Sequence, residues 1–359
     1  MNITIDCRMI GASGVGTYLA GCLPIFLKSE NKFLLLGDKN KISPFINANN
    51  SSIEECHIEP FSPAEFFFPR SLLNKINQTG IYYSPYFNIP SGIKIPVMVT
   101  IHDIVFPDVP GLVSPVGLWA RMYFYRRAAK HAKKIITVSD FSKERIEYHL
   151  GNKTPVINAS NAINILSIDN KQQIKKEKLI LFIGNIKKHK GLGILLDAFN
   201  KFLEKNRDYK MVIIGSKDNF RSKDTNITER LEKLSGANLE FTGFIPENEK
   251  NLLLAKAALL VQPSLYEGFG YPPLEAMLSG TPALISNIPV FKEIYDDFPV
   301  TFFKSGDSED LSVKMLALLL NKTPASINLP NNLKEKYSFK NTVSIILAEM
   351  EKIYTNQEN

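Results

Sequence analysis

The sequence predicts an α/β fold of two doubly wound, Rossmann-like domains, and three observations support this. Short apolar runs alternate with helical patterns through both halves, as in parallel sheets flanked by helices. The length of 359 residues exceeds the size at which one core usually keeps growing. A polar, aperiodic stretch at residues 158–178 divides the halves like a linker. Because open sheets of this kind bind ligands beyond the carboxyl ends of their strands, we expect the domains to face a ligand-binding cleft.

The first half begins with a strand at residues 2–6, which leads into a glycine-containing loop and an apolar-periodic helix. A loop of this kind is a phosphate or close-approach loop in many α/β proteins. Ser139 is predicted to cap a helix that begins directly after it. Further predicted elements are strands at residues 32–36, 80–83, 96–101 and 134–138, and a helix at residues 116–132.

The second half repeats the pattern after the linker. A strand is predicted at residues 179–183 and a helix at residues 192–203. The strands that follow are predicted at residues 211–214, 239–242, 258–261 and 283–286. The last helical stretch, residues 340–354, is amphipathic. The chain is thus predicted to divide into domains at residues 1–165 and 166–339.

Composition narrows the functional classes. The chain is 44% hydrophobic, has no apolar run of about 18 residues as a membrane-spanning helix needs, and begins without a signal-peptide pattern. Three cysteines without paired spacing fit a reducing cytoplasm. The net charge of +7 suits anionic partners. Because aromatic-flanked RNA-binding signatures are absent, we expect no nucleic acid, and we expect a cytoplasmic enzyme at the inner, acidic face of a membrane.

The most informative segment is EGFGYPPLEAM, which runs from Glu267 to Met277. It places two carboxylates around a Gly-Phe-Gly hinge and a Pro-Pro helix start. Glycine at Gly268 and Gly270 allows positive φ and close approach of a ligand, and prolines suit a first helical turn. The exposed N–H groups of that turn favour a phosphate. With Glu275 in the same turn and Glu267 before the glycines, the segment predicts a holder for a phosphate flanked by sugar hydroxyls, as in a nucleotide sugar.

This segment resembles the E-x7-E signature of retaining glycosyltransferases of family 4, and the chain as a whole resembles their GT-B architecture. The resemblance implies a transferase that moves a sugar from a nucleotide-diphosphate sugar to a glycan or lipid-linked oligosaccharide acceptor, in cell-surface polysaccharide synthesis. It implies no cofactor and no metal, which agrees with the lack of any Asp-x-Asp pair. It also implies that the last helix, at about residues 340–356, crosses back to the first domain.

The resemblance assigns roles to residues at strand ends. Glu267 would hold the donor-sugar hydroxyls, Glu275 the ribose, and His102 the transferred sugar in its charged transition state. Lys190 matches a family lysine for the diphosphate, whereas Asn185 stands where the family has arginine. Either Lys187 or Lys188 is left as a substitute cation. The catalytic set is therefore His102, Glu267 and Lys190. The predicted donor-binding set comprises Gly14, Gly16, Gly184, Asn185, Lys187, Phe244, Ile245, Gly268, Phe269, Gly270, Leu274 and Glu275.

Other functions fit parts of the pattern. A sugar-nucleotide epimerase would use the same fold without an acceptor, and a non-catalytic carbohydrate-binding protein would keep the cleft without turnover. A dinucleotide enzyme is disfavoured because the glycines near Gly14 lack the G-x-G-x-x-G order. Two stretches, residues 63–76 and 121–134, combine aromatic side chains with cations. They fit either a half-buried surface or a peripheral contact with an anionic membrane.

Overall fold

The computed structural model describes residues 1–46, 49–162, 174–215, 236, 238–320 and 330–358, and it divides into two compact units. Unit 1 comprises Met1–Asp108, Val113–Asn164 and Asn332–Asn359. Unit 2 comprises Val109–Leu112 and Ile165–Asn331. Residues 163–173 of the predicted linker, and with them the predicted boundary at residue 165, lie outside the described residues.

Unit 1 contains a seven-stranded parallel sheet of order β3-β2-β1-β4-β5-β6-β7. The central strands are fully buried apolar runs, which is how strands covered by helices on both faces are built. The strands are β1 (Asn2–Asp6), β2 (Lys32–Gly37), β3 (Ser51–Glu55), β4 (Ile81–Ser84), β5 (Val97–Thr100), β6 (Lys134–Thr137) and β7 (Val156–Asn158). The helices are α1 (Ser13–Phe26), α2 (Lys39–Ile42), α3 (Arg70–Asn77), α4 (Val105–Asp108), α5 (Pro115–His131) and α6 (Asp140–Leu150).

Unit 2 contains a six-stranded parallel sheet of order β10-β9-β8-β11-β12-β13. Its strands are β8 (Leu179–Ile183), β9 (Lys210–Ile214), β10 (Leu239–Gly243), β11 (Leu259–Gln262), β12 (Ala283–Ser286) and β13 (Thr301–Phe303). Its helices are α7 (Leu192–Leu203), α8 (Glu247–Lys256), α9 (Tyr271–Leu278), α10 (Pro289–Tyr295) and α11 (Ser308–Leu320). The helices α12 (Asn331–Lys336) and α13 (Phe339–Glu358) follow.

Helix α13 is part of the core of unit 1. Val343, Ile346 and Met350 on this helix are buried in one cluster with side chains of β1 and α1. The ring of Phe339 packs directly on Gly21 of α1. A Cβ at Gly21 would lie only 2.0 Å from the nearest atom of this ring, so the contact between the two helices requires glycine. An ion pair between Lys134 and Glu349 attaches α13 to the start of β6 as well.

A buried ionic network fixes the loop after β3 onto the end of β1. The guanidinium of Arg8 lies 2.6 Å from Asp6 and 2.8 Å from Glu65, and all three side chains are almost inaccessible. Tyr86, which follows β4, donates a hydrogen bond to Glu65. Burial alone would raise the pKa of Asp6, but the charge of Arg8 and the hydrogen bonds from Arg8 and Tyr82 together lower it. Since one cation serves two carboxylates, Arg8 is essential to this part of the fold.

The predicted α/β class with two doubly wound sheets is confirmed. Ser139 caps α6 as predicted, accepting a hydrogen bond from the N–H of Ser142 at 3.1 Å. Three strands, β3, β7 and β13, were not predicted, and each lies at an edge of its sheet. Edge strands are shorter or more polar than the buried central ones, so the apolar runs used for prediction are missing there.

Candidate functional site

The strand order of unit 2 defines where a ligand is expected to bind. Chain order reverses between β8 and β11, so the connections that leave these adjacent strands diverge and open a crevice at their carboxyl ends. Lys190 lies in the connection after β8, and Glu267 lies in the connection after β11. The topology therefore brings two of the predicted catalytic residues to the same switch point.

Lys190 and Glu267 form an ion pair, with 2.6 Å between the amine nitrogen and a carboxylate oxygen. The pair is largely shielded from solvent, since the exposed fraction is 21% for the lysine side chain and 8% for the glutamate. Ser264 donates a hydrogen bond of 2.8 Å to the other carboxylate oxygen, and the Gln262 amide lies 3.5 Å from the same atom. A charged pair with hydrogen bonds of this kind keeps a fixed geometry.

The two connections are joined through their backbones. The N–H of Leu265 donates to the carbonyl of His189 at 2.7 Å. Gly191, which precedes α7, has a φ of 69°, and a Cβ at that position would lie 1.9 Å from the carbonyl oxygen of Pro263. Only glycine permits both the left-handed backbone and this contact. Lys190, between His189 and Gly191, is thereby held at a fixed distance from Glu267.

His189 is a buried neighbour of the ion pair that the sequence did not indicate. Burial, followed by the charge of Lys190, lowers its pKa to about 4, so the imidazole is neutral at neutral pH. Its Nδ1 atom is buried without a hydrogen-bond partner among the described residues. A neutral imidazole beside Lys190 adds no charge to the site, so the lysine supplies the positive charge at this point.

The remaining predicted residues after β8 differ in exposure. The carbonyl oxygen of Gly184 lies 2.2 Å from where a Cβ on Gly215 would sit, so the ends of β8 and β9 approach closely. The side chains of Asn185, Lys187 and Lys188 are exposed. These two lysines are adjacent in the chain, and their exposed amines can approach an anion that arrives from solvent.

The Gly-Phe-Gly hinge leads into α9 with one difference from prediction. Gly270 is the N-cap of α9 with a φ of 86°, and a Cβ there would collide with the ring of Phe291. Gly268 does not take a positive φ, so the expected left-handed backbone holds for Gly270 alone. Phe269 and Leu274 are buried, which leaves their backbone groups as the parts that can meet a ligand.

Glu275 was expected in the first turn of α9, and this was wrong. The helix begins at Tyr271, one residue before the prolines, so Glu275 is its fifth residue and lies beyond that turn. Its carboxylate pairs with Lys250 of α8 at 2.9 Å. Burial raises the pKa of Glu275 despite this pair. Burial alone would lower the pKa of Lys250, but the nearby Glu275 and Glu247 raise it. Nothing in the local sequence marks Lys250 as the partner, because the contact joins two helices.

Phe244 and Ile245 follow directly after β10. The side chain of Phe244 is almost fully exposed, and that of Ile245 is half-buried. Gly243, which ends the strand, has a φ of 74° and turns the chain at this point. An exposed aromatic ring at a strand end can stack on a planar ligand.

His102 lies just beyond the end of β5 in unit 1. Its Nε2–H donates to the carbonyl of Pro85 at 2.9 Å, and the edge of the ring packs against Tyr18 of α1 at 4.9 Å between centroids. Burial lowers the pKa of His102 to about 4, so the ring is neutral at neutral pH. Because its single N–H is used for Pro85, the neutral ring keeps Nδ1 as an acceptor for a sugar hydroxyl, and its low pKa makes it a weak base, which fits a binding role better than proton abstraction.

The glycines expected in a loop after β1 lie inside the helix. Because α1 begins at Ser13, both Gly14 and Gly16 belong to its first turn. A Cβ on Gly16 would lie 2.5 Å from the carbonyl oxygen of Met9, so this glycine is required by close packing of the helix on the preceding turn. Gly14 is exposed, with open space around the position of a Cβ.

Comparison with known proteins shows which family the second half of the chain resembles. Residues 164–337 match the model of the family "Glycosyl transferases group 1". An O-antigen chain mannosyltransferase RfbU of Salmonella typhimurium is 28% identical over 69% of this chain and 67% of its own length. An O-antigen chain mannosyltransferase B of Escherichia coli is 28% identical over 60% of this chain and 59% of its own length. The match to this second relative therefore spans less than two thirds of it.

Solved structures agree on the fold. HepE of Anabaena, crystallised with UDP and glucose, superposes with a TM-score of 0.74 at 17% identity, over 98% of this chain and 100% of that one. A sucrose-phosphate synthase of Thermosynechococcus elongatus gives a TM-score of 0.72 at 15% identity, over 99% and 100% of the two chains. Residues 164–337 are thus similar to the group 1 glycosyl transferases, and the chain has the GT-B fold of these solved structures.

Proposed function

We propose that this protein is a retaining glycosyltransferase that moves a sugar from a nucleotide-diphosphate sugar to a glycan or lipid-linked acceptor in cell-surface polysaccharide synthesis. The observation that carries the proposal is the Lys190–Glu267 pair at the switch point of unit 2. A diphosphate needs a fixed cation, and a hexose needs a fixed acceptor for its hydroxyls. This pair offers both within 2.6 Å of each other.

Charge development explains how such a site would act. As the glycosidic bond breaks, negative charge grows on the diphosphate and positive charge on the sugar ring. Lys190, with Lys187 or Lys188 at its side, would stabilise the leaving diphosphate, and Glu267 would hold and orient the sugar hydroxyls. His102 would contact the transferred sugar, and Glu275 the ribose. The leaving phosphate itself would take the proton of the acceptor, so no dedicated base, cofactor or metal is needed.

The names of the relatives suggest which sugar the donor carries. The two O-antigen relatives are called mannosyltransferases, and HepE was crystallised with UDP-glucose in a further structure. We propose mannose as the transferred sugar. The base pocket would lie at Phe244 and Ile245, where an exposed ring follows β10.

A thermal-shift panel tests the donor site. GDP-mannose, UDP-glucose and dTDP-glucose are added separately to the full chain, and one donor is expected to raise the melting temperature. Glu275→Ala should abolish that shift, and Lys190→Met should reduce it strongly. The exposed Glu240→Ala, in the same unit, is the matched control and should keep it. A flat response to all donors would contradict the proposal.

Product analysis separates the proposal from its rivals. The bound donor is incubated with and without a glycan acceptor, and the new linkage is read by NMR of the anomeric proton. We expect the product to keep the anomeric configuration of the donor, and we expect transfer to continue in the presence of EDTA. Conversion of the donor in the absence of acceptor would indicate an epimerase. Donor binding without any turnover would indicate a carbohydrate-binding protein.

A further inference from the structure

Helix α5 of unit 1 carries an exposed stripe that the donor site does not use. Met122, Tyr125 and Ala128 point into the core and attach this helix to the sheet. On its outer side five exposed side chains recur at spacings of three and four residues, which places them on one face. These are Val116, Trp119, Tyr123, Arg126 and Lys130.

The first part of this stripe is apolar and unusually exposed. Val116 is 77% exposed and Trp119, the only tryptophan of the chain, is 70% exposed. The Trp119 and Tyr123 rings stack at 6.3 Å between centroids. Large apolar side chains grouped on a surface mark an interaction site. Trp and Tyr in particular favour the interface between water and lipid, because their rings are apolar with a polar edge.

The loop after β3 adds a further aromatic side chain beside α5. Phe66 stacks on Phe124 at 5.3 Å, and the guanidinium of Arg127 lies 5.1 Å above the Phe66 ring. These contacts hold the loop against the helix, and the next residue, Phe67, is 81% exposed. Of the three consecutive phenylalanines in the predicted stretch, Phe66 is half-buried, Phe68 is buried, and only Phe67 is exposed to solvent.

The second part of the stripe is cationic. Between Asp108 and Asp140 the chain has six Lys and Arg residues and no Asp or Glu. A pocket of about 300 Å³ is lined by Trp119, Tyr123, Arg126, Arg127, Lys130 and His131. Aromatic rings next to several cations form a pocket suited to a phosphate group attached to an apolar body.

We propose that the outer face of α5, together with Phe67, docks this protein on an anionic lipid bilayer. The charge pattern selects this partner, because cations without intervening carboxylates favour a negatively charged leaflet and the adjacent rings favour its interface. No helix in the described part of the chain is long and apolar enough to cross a bilayer, so the contact is peripheral. This inference goes beyond the proposed transfer reaction and does not depend on it.

The single tryptophan makes the test direct, since the reporter lies in the proposed contact. The full chain is titrated with vesicles of phosphatidylcholine alone and with vesicles that also contain phosphatidylglycerol. With anionic vesicles we expect a blue shift of the Trp119 emission and quenching by lipids brominated in the upper acyl chain, because such faces lie about 5–10 Å into the interface. Raising the salt from about 0.1 M to 1 M should weaken binding, since the Debye length falls from about 10 Å to 3 Å.

Variants assign the contact to this face. Arg126→Gln with Lys130→Gln should lower the partition into anionic vesicles by about 25-fold, at about fivefold per cation. Trp119→Ser with Tyr123→Ser, followed by vesicle flotation, should also weaken it. Lys39→Gln with Lys153→Gln removes two exposed cations outside α5 and should leave binding unchanged. The donor-induced thermal shift is measured on every variant, so a folding defect or a failed donor site is recognised separately.

Three results would overturn the inference. The first is the absence of any fluorescence or flotation response to anionic vesicles, which would leave the face to another partner such as a protein. The second is equal binding to neutral and anionic vesicles. The third is an equal loss of binding in the control variant, which would show that net charge rather than this face attracts the lipid.

Discussion

Removing the cation of the Lys190–Glu267 pair should destabilise unit 2. In the Lys190→Met variant the Glu267 carboxylate, 8% exposed, keeps its hydrogen bond from Ser264 but loses its counterion. Breaking a fully buried pair costs about 3–5 kcal/mol. Because Lys190 is 21% exposed and Ser264 remains, we expect a loss of about 2–3 kcal/mol in the free energy of unfolding of unit 2.

A double-mutant cycle isolates the interaction. Glu267→Gln removes the charge, so the double variant should recover much of the loss, with a coupling energy of about 2 kcal/mol. Native-state hydrogen exchange at the β8 and β11 amides reports unit 2. The amides of β1 and β4 report the stability of unit 1, and their exchange should not change.

A matched control uses the exposed pair of Lys178 and Asp208 in the same unit, where both side chains are 59% exposed. Because water screens this pair, its coupling should be much smaller than that of the buried pair. The reasoning would be refuted if the losses of Lys190→Met and Glu267→Gln added up to the loss of the double variant within about 0.5 kcal/mol.

Lowering the pH from 6.5 to about 4.5 should reduce the free energy of unfolding of unit 1 by about 1.4 kcal/mol per pH unit through His102. In this range the imidazole binds a proton in the unfolded state, whereas the folded imidazole, with a pKa of about 4, does not. Urea titrations at each pH should show this slope removed by His102→Asn and kept by His57→Asn, which changes an exposed ring. In calorimetry, Gly191→Ala should lower the melting temperature of unit 2 far more than Gly280→Ala. Both glycines have a positive φ, but only at Gly191 would the new Cβ lie 1.9 Å from a carbonyl oxygen. Arg8→Met should cost unit 1 about 3–5 kcal/mol, because two buried carboxylates lose their shared cation, and a calorimetric melt close to that of the wild type would contradict this.

The sequence predicted the central strands well but missed β3, β7 and β13, three of the four edge strands, for a physical reason. Central strands such as β8 are covered on both faces and therefore consist of continuous apolar residues. The edge strand β3, with sequence SSIEE, has no such run, and β7 and β13 are only three residues long. Their pairing depends on the neighbouring strand already being in place, which a local pattern does not record.

The candidate site was also predicted only in part: the positions of its residues along the chain could be inferred, but their contacts could not. Lys190 and Glu267 could be placed at strand ends from the sequence, because each follows an apolar run. Their pairing could not, since it depends on β8 and β11 being neighbours. The partner of Glu275 was also beyond prediction, because Lys250 lies on another helix and no spacing rule connects them.

The place of α13 in the core of unit 1 has a consequence for biosynthesis. On the ribosome, the residues up to Asn164 emerge long before Asn332, and the long segment Ile165–Asn331 of unit 2 is made in between. At typical elongation rates this delay lasts roughly 10–30 s. During that time the apolar groove that later receives Val343, Ile346 and Met350 is uncovered. Unit 2 can therefore fold before the core of unit 1 is complete, and this groove stays exposed until α13 has been made.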